Sequence, residues 1–237
     1  MAASLNILGL IPARGGSKGV PRKNIRPLAG QSLVQRTFSV AQNSGVLHRI
    51  ILSTEDEEIA QHGRDIGLEV PFLRSKTHAR DQSPMIDVLT EALDRLKEEE
   101  GYEPDALLLL QPTSPFRKPV HLQRAVELLG DHDSVCTVVP VPLELCPHFV
   151  MKITEEGYLD YFLEEGRKIK RRQDVPPAYR REGTVYLTRP AVIRTYGNIY
   201  GQSCIPMPIS EAESLSIDTE DQWAFAEKML LEGTTKY

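Results

Sequence analysis

A glycine-rich, basic segment near the start of the chain has the composition of a loop that binds phosphate. It follows the apolar run over 8–12 and contains the glycines Gly15, Gly16 and Gly19 and the cations Arg14, Lys18, Arg22 and Lys23. Glycines permit positive φ and let backbone N–H groups approach a ligand, while cations attract phosphate charge. The spacing matches neither Gly-x4-Gly-Lys-Ser/Thr nor Gly-x-Gly-x-x-Gly, so the two commonest nucleotide-binding motifs are absent. Taken alone, the segment also fits a solvated basic turn.

A second polar turn follows the apolar run over 106–110. It offers an amide, two hydroxyls and a guanidinium, on Gln111, Thr113, Ser114 and Arg117. In open α/β sheets ligands bind beyond the carboxyl ends of the strands, so loops that follow different strands meet at one site. Gln111 is the first polar residue after the run. We therefore expect its amide at the mouth of the sheet, within hydrogen-bonding reach of a sugar or a base.

Short apolar runs alternate with helical patterns along most of the chain. Runs over 6–12, 49–54, 69–73, 106–110, 134–139 and 184–188 predict strands, and the intervening patterns predict helices. The helix boundaries are signalled by glycine stops at Gly45 and Gly67, an N-cap and first-position proline at Ser83-Pro84, and a capping box at Thr219-x-x-Gln222. This rhythm predicts a three-layer α/β fold, with a mostly parallel sheet and helices on both faces.

One segment interrupts the α/β rhythm. Prolines cluster at positions 140, 142 and 147, and five of the six residues over 167–172 are cationic. We interpret 140–177 as an insertion or small subdomain, and assign 1–139 and 178–237 to the main α/β domain. Arg167, Lys168 and Lys170 are expected on a solvated surface.

The overall composition fits one ordinary domain that binds small ligands. The 237 residues are 41% hydrophobic and 26% charged, with a net charge of −5, which argues against binding to nucleic acid. Three widely spaced cysteines without Cys-x-x-Cys indicate neither a disulfide framework nor a zinc site, and favour a reducing, cytoplasmic location. We expect no signal peptide and no membrane partner, because no basic n-region or run of about 20 apolar residues occurs.

Four motifs together resemble the acylneuraminate cytidylyltransferase family, the CMP-sialic acid synthetases and their relatives. They are residues 11–24, the turn over 111–117, Arg171-Arg172-Gln173-Asp174 with Tyr179, and Ser216-Ile217-Asp218. The resemblance implies a Rossmann-like nucleotide-diphospho-sugar transferase fold. It also implies that CMP is transferred from CTP to the anomeric hydroxyl of an acidic 2-keto sugar, with Mg²⁺ assistance and release of pyrophosphate.

The resemblance also implies roles for individual residues. Nucleotide binding would involve Arg14, Gly15, Gly16, Ser17, Lys18 and Asn24 at the triphosphate, and Arg74, Asp81 and Ser83 at the cytosine and ribose. Sugar binding would involve Gln111, Arg172, Gln173, Glu182 and Tyr186. Arg172 and Gln173 match a basic arm that reaches the partner subunit's active site, which implies a homodimer and a dimerisation role for 140–177. Tyr186 also fits simple packing, as strand tyrosines often do.

Catalysis would depend on two cations and one acid. Arg14 and Lys23 would offset the charge that grows on the departing pyrophosphate. Asp218 would ligate Mg²⁺, which usually takes one or two protein carboxylates and keeps several waters. Read without the resemblance, Asp218 is a residue at a helix start that interacts with the helix dipole.

Two positions depart from the family pattern. Ser216 stands where the family has an aspartate, and it cannot supply the missing charge. The number of metal ions in the site, one or two, therefore stays open. Glu182 stands where the family usually has asparagine next to the sugar. A carboxylate there disfavours an acidic group nearby and prefers hydroxyl or ammonium donors. The acceptor therefore stays open between N-acetylneuraminic acid and relatives such as legionaminic acid, pseudaminic acid or an aminated octulosonate.

Two other functions fit these departures. Glu182 and Ser216 favour a nucleotidyltransferase of the same fold that acts on a sugar phosphate or phosphonate with another nucleoside triphosphate. A non-catalytic homologue that senses a nucleotide sugar would explain the loss of one aspartate. Asp218 and the cationic loop argue against the sensor, since binding alone has less need of charge that stabilises pyrophosphate.

Overall fold

The computed structural model describes residues 5–80 and 82–233. In chain order its strands are β1 (Ile7–Pro12), β2 (Pro27–Leu28), β3 (Gln31–Ser32), β4 (Arg49–Ser53), β5 (Ala106–Leu109), β6 (Ser134–Pro140), β7 (Met151–Ile153), β8 (Leu159–Tyr161), β9 (Tyr179–Thr188) and β10 (Cys204–Pro208). The helices are α1 (Leu33–Ser44), α2 (Glu57–Asp65), α3 (Met85–Glu100), α4 (Pro119–Leu129), α5 (Pro190–Tyr196) and α6 (Glu220–Leu231). Short 3₁₀ turns span Lys76–Ala79, Leu143–Leu145, Glu164–Lys168, Arg172–Asp174 and Glu211–Glu213.

Six of these strands form the central sheet, in the order β10-β6-β9-β5-β1-β4. The pairs β1–β4, β1–β5 and β6–β10 are parallel, whereas β9 runs antiparallel to both β5 and β6. Two separate hairpins pair β2 with β3 and β7 with β8. The predicted mostly parallel sheet is confirmed, with a single antiparallel strand in its interior.

Both faces of the sheet are covered by helices, which confirms the three layers. On β1, Ile7 and Ile11 belong to one buried cluster, while Leu8 and Leu10 belong to the other. The first cluster includes side chains of α1, α2 and α4, and the second includes side chains of α3 and α5. Because side chains alternate along a strand, a strand buried on both faces reads as a continuous apolar run.

Helix α6 forms a third, smaller core against the loop that follows β1. Trp223 and Ala226 of α6 pack with Val20, Leu28 and Ile217. The capping box predicted at the start of this helix is confirmed. The Thr219 hydroxyl accepts the backbone N–H of Gln222, and the Gln222 side-chain oxygen accepts the backbone N–H of Thr219. This packing holds the segment before α6 beside the basic loop.

Two local predictions are wrong. Residues 69–73 do not form a strand, and Glu69 makes only an isolated bridge to Ile51, because Pro71 has no N–H to extend the ladder. Ser83 is not the N-cap of α3. The helix begins at Met85 after an extended Pro84, and the Ser83 hydroxyl instead donates to the Thr77 carbonyl at 2.8 Å.

The chain between β6 and β9 leaves the sheet and contains the β7–β8 hairpin with three of the 3₁₀ turns. Strand β9 begins at Tyr179, earlier than the predicted start at 184, and pairs with β6 as far back as Pro140. The sequence analysis missed β10 and α5. In the described part of the chain, no helix is both long and apolar enough to cross a membrane.

Gly15 and Gly19 of the basic loop lie in close packing, and none of the loop's three glycines uses the positive φ that glycine permits. Gly15, Gly16 and Gly19 all have φ outside the left-handed region, whereas Arg22 adopts a φ of 53°. A Cβ atom at Gly19 would collide with the backbone carbonyl oxygen of Asp218. Glycine is required at this position because two backbone segments meet there.

We predict that Gly19→Ala destabilises the protein by about 1–3 kcal/mol, the usual cost of forcing extra volume into a packed site. The substitution must push the loop away from the segment before α6, and urea denaturation measures the loss. Gly16→Ala is the matched control, because a Cβ there has no neighbour within 4 Å. Equal stability of the two variants would contradict the packing role of Gly19.

Candidate active site

A cavity of about 470 Å³ opens at the carboxyl ends of β1 and β5. Its walls come from the basic loop after β1, the segment from residue 74 to the first turn of α3, the turn after β5, and the segment before α6. This is the edge of the sheet at which ligands bind in open α/β folds. The strand-end loops that the sequence analysis selected therefore meet in one place.

Many of the predicted site residues line this cavity. They are Arg14, Ser17, Lys18, Lys23, Asn24, Arg74, Ser83, Gln111 and Asp218. Gly15 and Gly16 lie in the same loop without lining the cavity, and Asp81 lies outside the described residues. The structure places Arg172, Gln173, Glu182 and Tyr186 away from the lining.

Two acids that the sequence analysis missed anchor the basic loop. Glu55 accepts the backbone N–H of Gly15 at 2.8 Å with one oxygen and the Arg74 guanidinium at 2.6 Å with the other. Asp56 accepts from Arg22 at 2.8 Å, and this guanidinium holds the pKa of Asp56 below its usual range. Both acids directly follow β4, and a search for polar residues after that strand would have found them.

Arg22 therefore does not have the phosphate-facing role that the loop composition suggested. It is paired with Asp56 and Glu58 and does not line the cavity. Its positive φ turns the loop so that Lys23, the next residue, lies on the cavity side.

Lys23 and Asp218 form the charged pair of the cavity. The Lys23 ammonium lies 2.9 Å from Asp218 Oδ1 and donates to the Ile217 carbonyl at 2.6 Å. The Ser216 hydroxyl donates to Asp218 Oδ2 at 3.2 Å, and Ile217 is fully buried. Ser216 and Asp218 thus share one face, as the alternation of an extended segment predicts. Glu220, the nearby acid on α6, pairs with Arg26 instead.

Arg74 brings a buried cation to the opposite wall. Its side chain is 4% exposed and lines the cavity, and its Nε has no hydrogen-bond partner among the described residues. Buried guanidinium groups normally satisfy their donors, so this Nε is available to an acceptor on a ligand. The same wall contains His78, Arg80, Met85 and Val88, none of which the sequence analysis selected.

Glu182 is buried and does not line the cavity, and its predicted place beside the sugar stays a prediction. It is 4% exposed and accepts the Thr184 backbone N–H at 2.7 Å. The neighbouring guanidinium of Arg117 donates to the carbonyls of Thr184 and Gln111, each at 2.6 Å. Burial lowers the pKa of Arg117 to about 10, and the charge of Glu182 opposes that shift. The Arg117 guanidinium thus holds the Gln111 turn.

Tyr186 is also buried, within the cluster that α3 covers. Its ring lies 6.5 Å from that of Tyr200 in an edge-on arrangement, and burial raises the pKa of its hydroxyl above the usual range. This burial fits the packing alternative, and the predicted place of Tyr186 beside the sugar stays a prediction.

Arg172 and Gln173 lie on the 3₁₀ turn Arg172–Asp174, outside the cavity. Arg172 lines a separate depression, together with Glu144, Phe149 and Ile169 of the same segment. Any contact of Arg172 with the central cavity must therefore come from another copy of the chain or from a movement of this segment.

Comparison with known proteins adds to this geometry. The chain is 34% identical to the CMP-N,N'-diacetyllegionaminic acid synthase of Legionella pneumophila, over 95% of this chain and 97% of that protein. It is 29% identical to an N-acylneuraminate cytidylyltransferase of Streptococcus agalactiae, over 90% of this chain and 51% of that protein.

Among solved structures, a CMP:2-keto-3-deoxy-manno-octonic acid synthetase in complex with CTP has the same fold. Its TM-score is 0.72 at 15% identity, and the match covers 96% of this chain and 99% of that one. The cytidylyltransferase family model matches residues 8–232, nearly the whole chain. The resemblance noted in the sequence is thereby confirmed, and the chain belongs to the cytidylyltransferase family of nucleotidyltransferases.

Proposed function

We propose that this cytidylyltransferase forms a CMP-sugar from CTP and an acidic 2-keto sugar of the sialic acid class, such as legionaminic or N-acetylneuraminic acid, and releases pyrophosphate. The observation behind the proposal is one cavity that combines the cations of the basic loop with the amide of Gln111. The names of the two relatives support this class of acceptor. Glu182 is buried away from the cavity lining, so its charge does not argue against an acidic acceptor.

The proposed reaction needs no covalent enzyme intermediate. The anomeric hydroxyl of the sugar attacks the α-phosphate of CTP, the bond to the β-phosphate breaks, and pyrophosphate leaves with the electron pair. Lys23 is suited to stabilise the charge on the leaving group, because its side chain is 13% exposed and its ammonium is held by the Ile217 carbonyl. A cation that is already in position needs little reorganisation as charge develops.

We also propose that Asp218 holds Mg²⁺ together with the triphosphate. In the described part of the chain, no three His, Cys, Asp or Glu side chains are grouped as metal ligands, so the protein contribution is small. Asp218 is 64% exposed at the cavity, and each of its oxygens keeps a lone pair beyond its bond to Lys23 or Ser216. One carboxylate with phosphate oxygens and water suits Mg²⁺, which would neutralise charge on the triphosphate.

We propose a homodimer that forms through the arm, the segment over 140–177 that contains β7 and β8. Large apolar side chains are exposed along it, namely Leu145, Met151, Ile153, Tyr158, Leu159 and Phe162. Exposed apolar side chains in this number indicate an interaction site, and a second copy of the chain is the proposed occupant. The same arm contains Arg172 and Gln173, which would reach the partner's cavity from it.

A cytoplasmic location is proposed on chemical grounds. Cys136, Cys146 and Cys204 are all free thiols, which favours a reducing compartment. The proposed substrate CTP is a cytoplasmic metabolite.

The substrate proposal is tested by pyrophosphate release from each of the four nucleoside triphosphates, against a panel of acidic 2-keto sugars and sugar phosphates. We expect turnover only with CTP and a 2-keto acid. Turnover of UTP or GTP with a sugar phosphate would contradict the proposal. Tight nucleotide binding without turnover would instead identify a non-catalytic homologue.

For the metal, Asp218→Asn is expected to lower kcat by about a hundredfold or more, the equivalent of several kcal/mol, because an amide holds Mg²⁺ poorly. The matched control is Asp221→Asn, an exposed acid in the first turn of α6 that does not line the cavity. Turnover is measured across a Mg²⁺ titration. Near-normal kcat of the Asp218 variant in Mg²⁺ would overturn the metal assignment.

For the dimer, Ile153→Asp is expected to convert a two-chain species into a monomer, as measured by size-exclusion chromatography with light scattering. Ile153 is 75% exposed in the single chain, so the charge costs little in folding and acts on association. Leu231→Asp, at the 73% exposed end of α6, is the control. A fully active wild-type monomer would rule out the arm as a shared element of the site.

A further inference from the structure

A histidine held by a partly buried acid lies on the wall of the cavity that contains Arg74. His78 Nδ1 is 2.7 Å from Glu91 Oε2, and the His78 side chain is 33% exposed and lines the cavity. Glu91, on α3, is 13% exposed and does not line the cavity. Its second oxygen accepts the Ser75 backbone N–H at 2.8 Å. Glu91 thus ties both the histidine and its supporting turn to α3.

This contact sets the hydrogen-bonding character of the other ring nitrogen. A carboxylate only accepts, so Nδ1 must carry the proton and donate to Glu91. In the neutral ring Nε2 is then a lone-pair acceptor. Nε2 has no hydrogen-bond partner among the described residues, and a ligand in the cavity can donate to it.

The wall around His78 combines the cations Arg74 and Arg80 with an apolar surface, and the acceptor character of Nε2 favours a donor on the nucleoside over a phosphate oxygen. Met85 and Val88, from the first turn of α3, add an apolar surface to the same wall. The cations of the basic loop and the Lys23–Asp218 pair lie on other segments of the lining. Phosphate oxygens accept hydrogen bonds and cannot donate to a neutral Nε2. In CTP the available donors are the ribose hydroxyls and the exocyclic amine of cytosine.

We propose that His78 is a nucleotide-specificity residue, which accepts a hydrogen bond from a ribose hydroxyl or from the cytosine amine of CTP. Glu91 is its positioning residue, because by accepting from Nδ1 it selects the neutral tautomer in which Nε2 is the acceptor. The inference rests on CTP being the substrate in the proposed function. It adds a pair of residues that read the nucleoside, separate from the groups that bind the triphosphate.

The decisive variant is His78→Asn, because the asparagine amide can still donate to Glu91 while the atom at Nε2 is lost. We expect KM for CTP to rise about 3- to 10-fold, the usual worth of one hydrogen bond, with kcat nearly unchanged. KM is measured for CTP, 2′-deoxy-CTP and 3′-deoxy-CTP, and for UTP, which is not expected to react, the competitive inhibition constant against CTP takes the place of KM. His78→Asn should not change the value for the analogue that lacks the group donating to Nε2. That analogue therefore identifies the donor as a ribose hydroxyl or the cytosine amine.

An equal rise in these constants for all four nucleotides, or no rise for CTP, would overturn the proposal. His132→Asn, an exposed histidine outside the cavity, is the matched control.

Glu91→Gln should raise KM for CTP less than His78→Asn, and the double variant should match the histidine variant. Its control is Glu99→Gln on the same helix, where Glu99 is exposed and pairs with Arg95. Calorimetry measures CTP binding in the absence of the sugar acceptor, and it separates this inference from the proposed function. A wild-type protein that binds CTP but does not turn it over would contradict the proposed function and would leave this inference standing.

Discussion

Four cations lie within residues 14–23, and their mutual repulsion is offset by acids that come from distant parts of the chain. Asp56 pairs with Arg22, and Asp218 pairs with Lys23, so the carboxyl end of the loop is held by two opposite charges. Glu55 adds a bond to the loop backbone. Opposite charges at this separation are favourable, and the partly buried pairs are screened less than surface pairs. These contacts decide which cations line the cavity: Arg22 pairs with acids outside it, whereas Lys23 and its partner Asp218 both belong to its lining.

The sheet and helix α6 give those charges their positions. Strands β1 and β5 are neighbours, so the basic loop and the Gln111 turn leave the sheet side by side. Helix α6 then packs through Trp223 and Ile217, and it places Asp218 against the glycine of the loop. The buried Arg117 guanidinium donates to the Gln111 carbonyl and supports the turn, and the charge of Glu182 favours the charged form of that guanidinium. Glu182 itself is buried and does not line the cavity.

In the proposed function the cavity would combine two kinds of recognition. The basic loop would provide positive charge for a triphosphate, while the wall with Arg74 and His78 would provide directional groups beside an apolar surface. Charge gives affinity for any nucleoside triphosphate, whereas a buried donor or acceptor discriminates between nucleosides. This combination of charge and directional groups suits an enzyme that selects one nucleoside triphosphate from a mixture of several.

Local patterns in the chain were enough to predict the layered α/β fold, the capping box at Thr219 and the meeting of the strand-end loops. These follow from apolar periodicity and from residues that are close in sequence. The antiparallel place of β9, the burial of Glu182, the pairing of Arg22 and the contact of His78 with Glu91 were not predictable in this way. Each depends on partners far apart in the chain, and the same charged side chain is a ligand contact or a structural counter-charge according to what packs beside it.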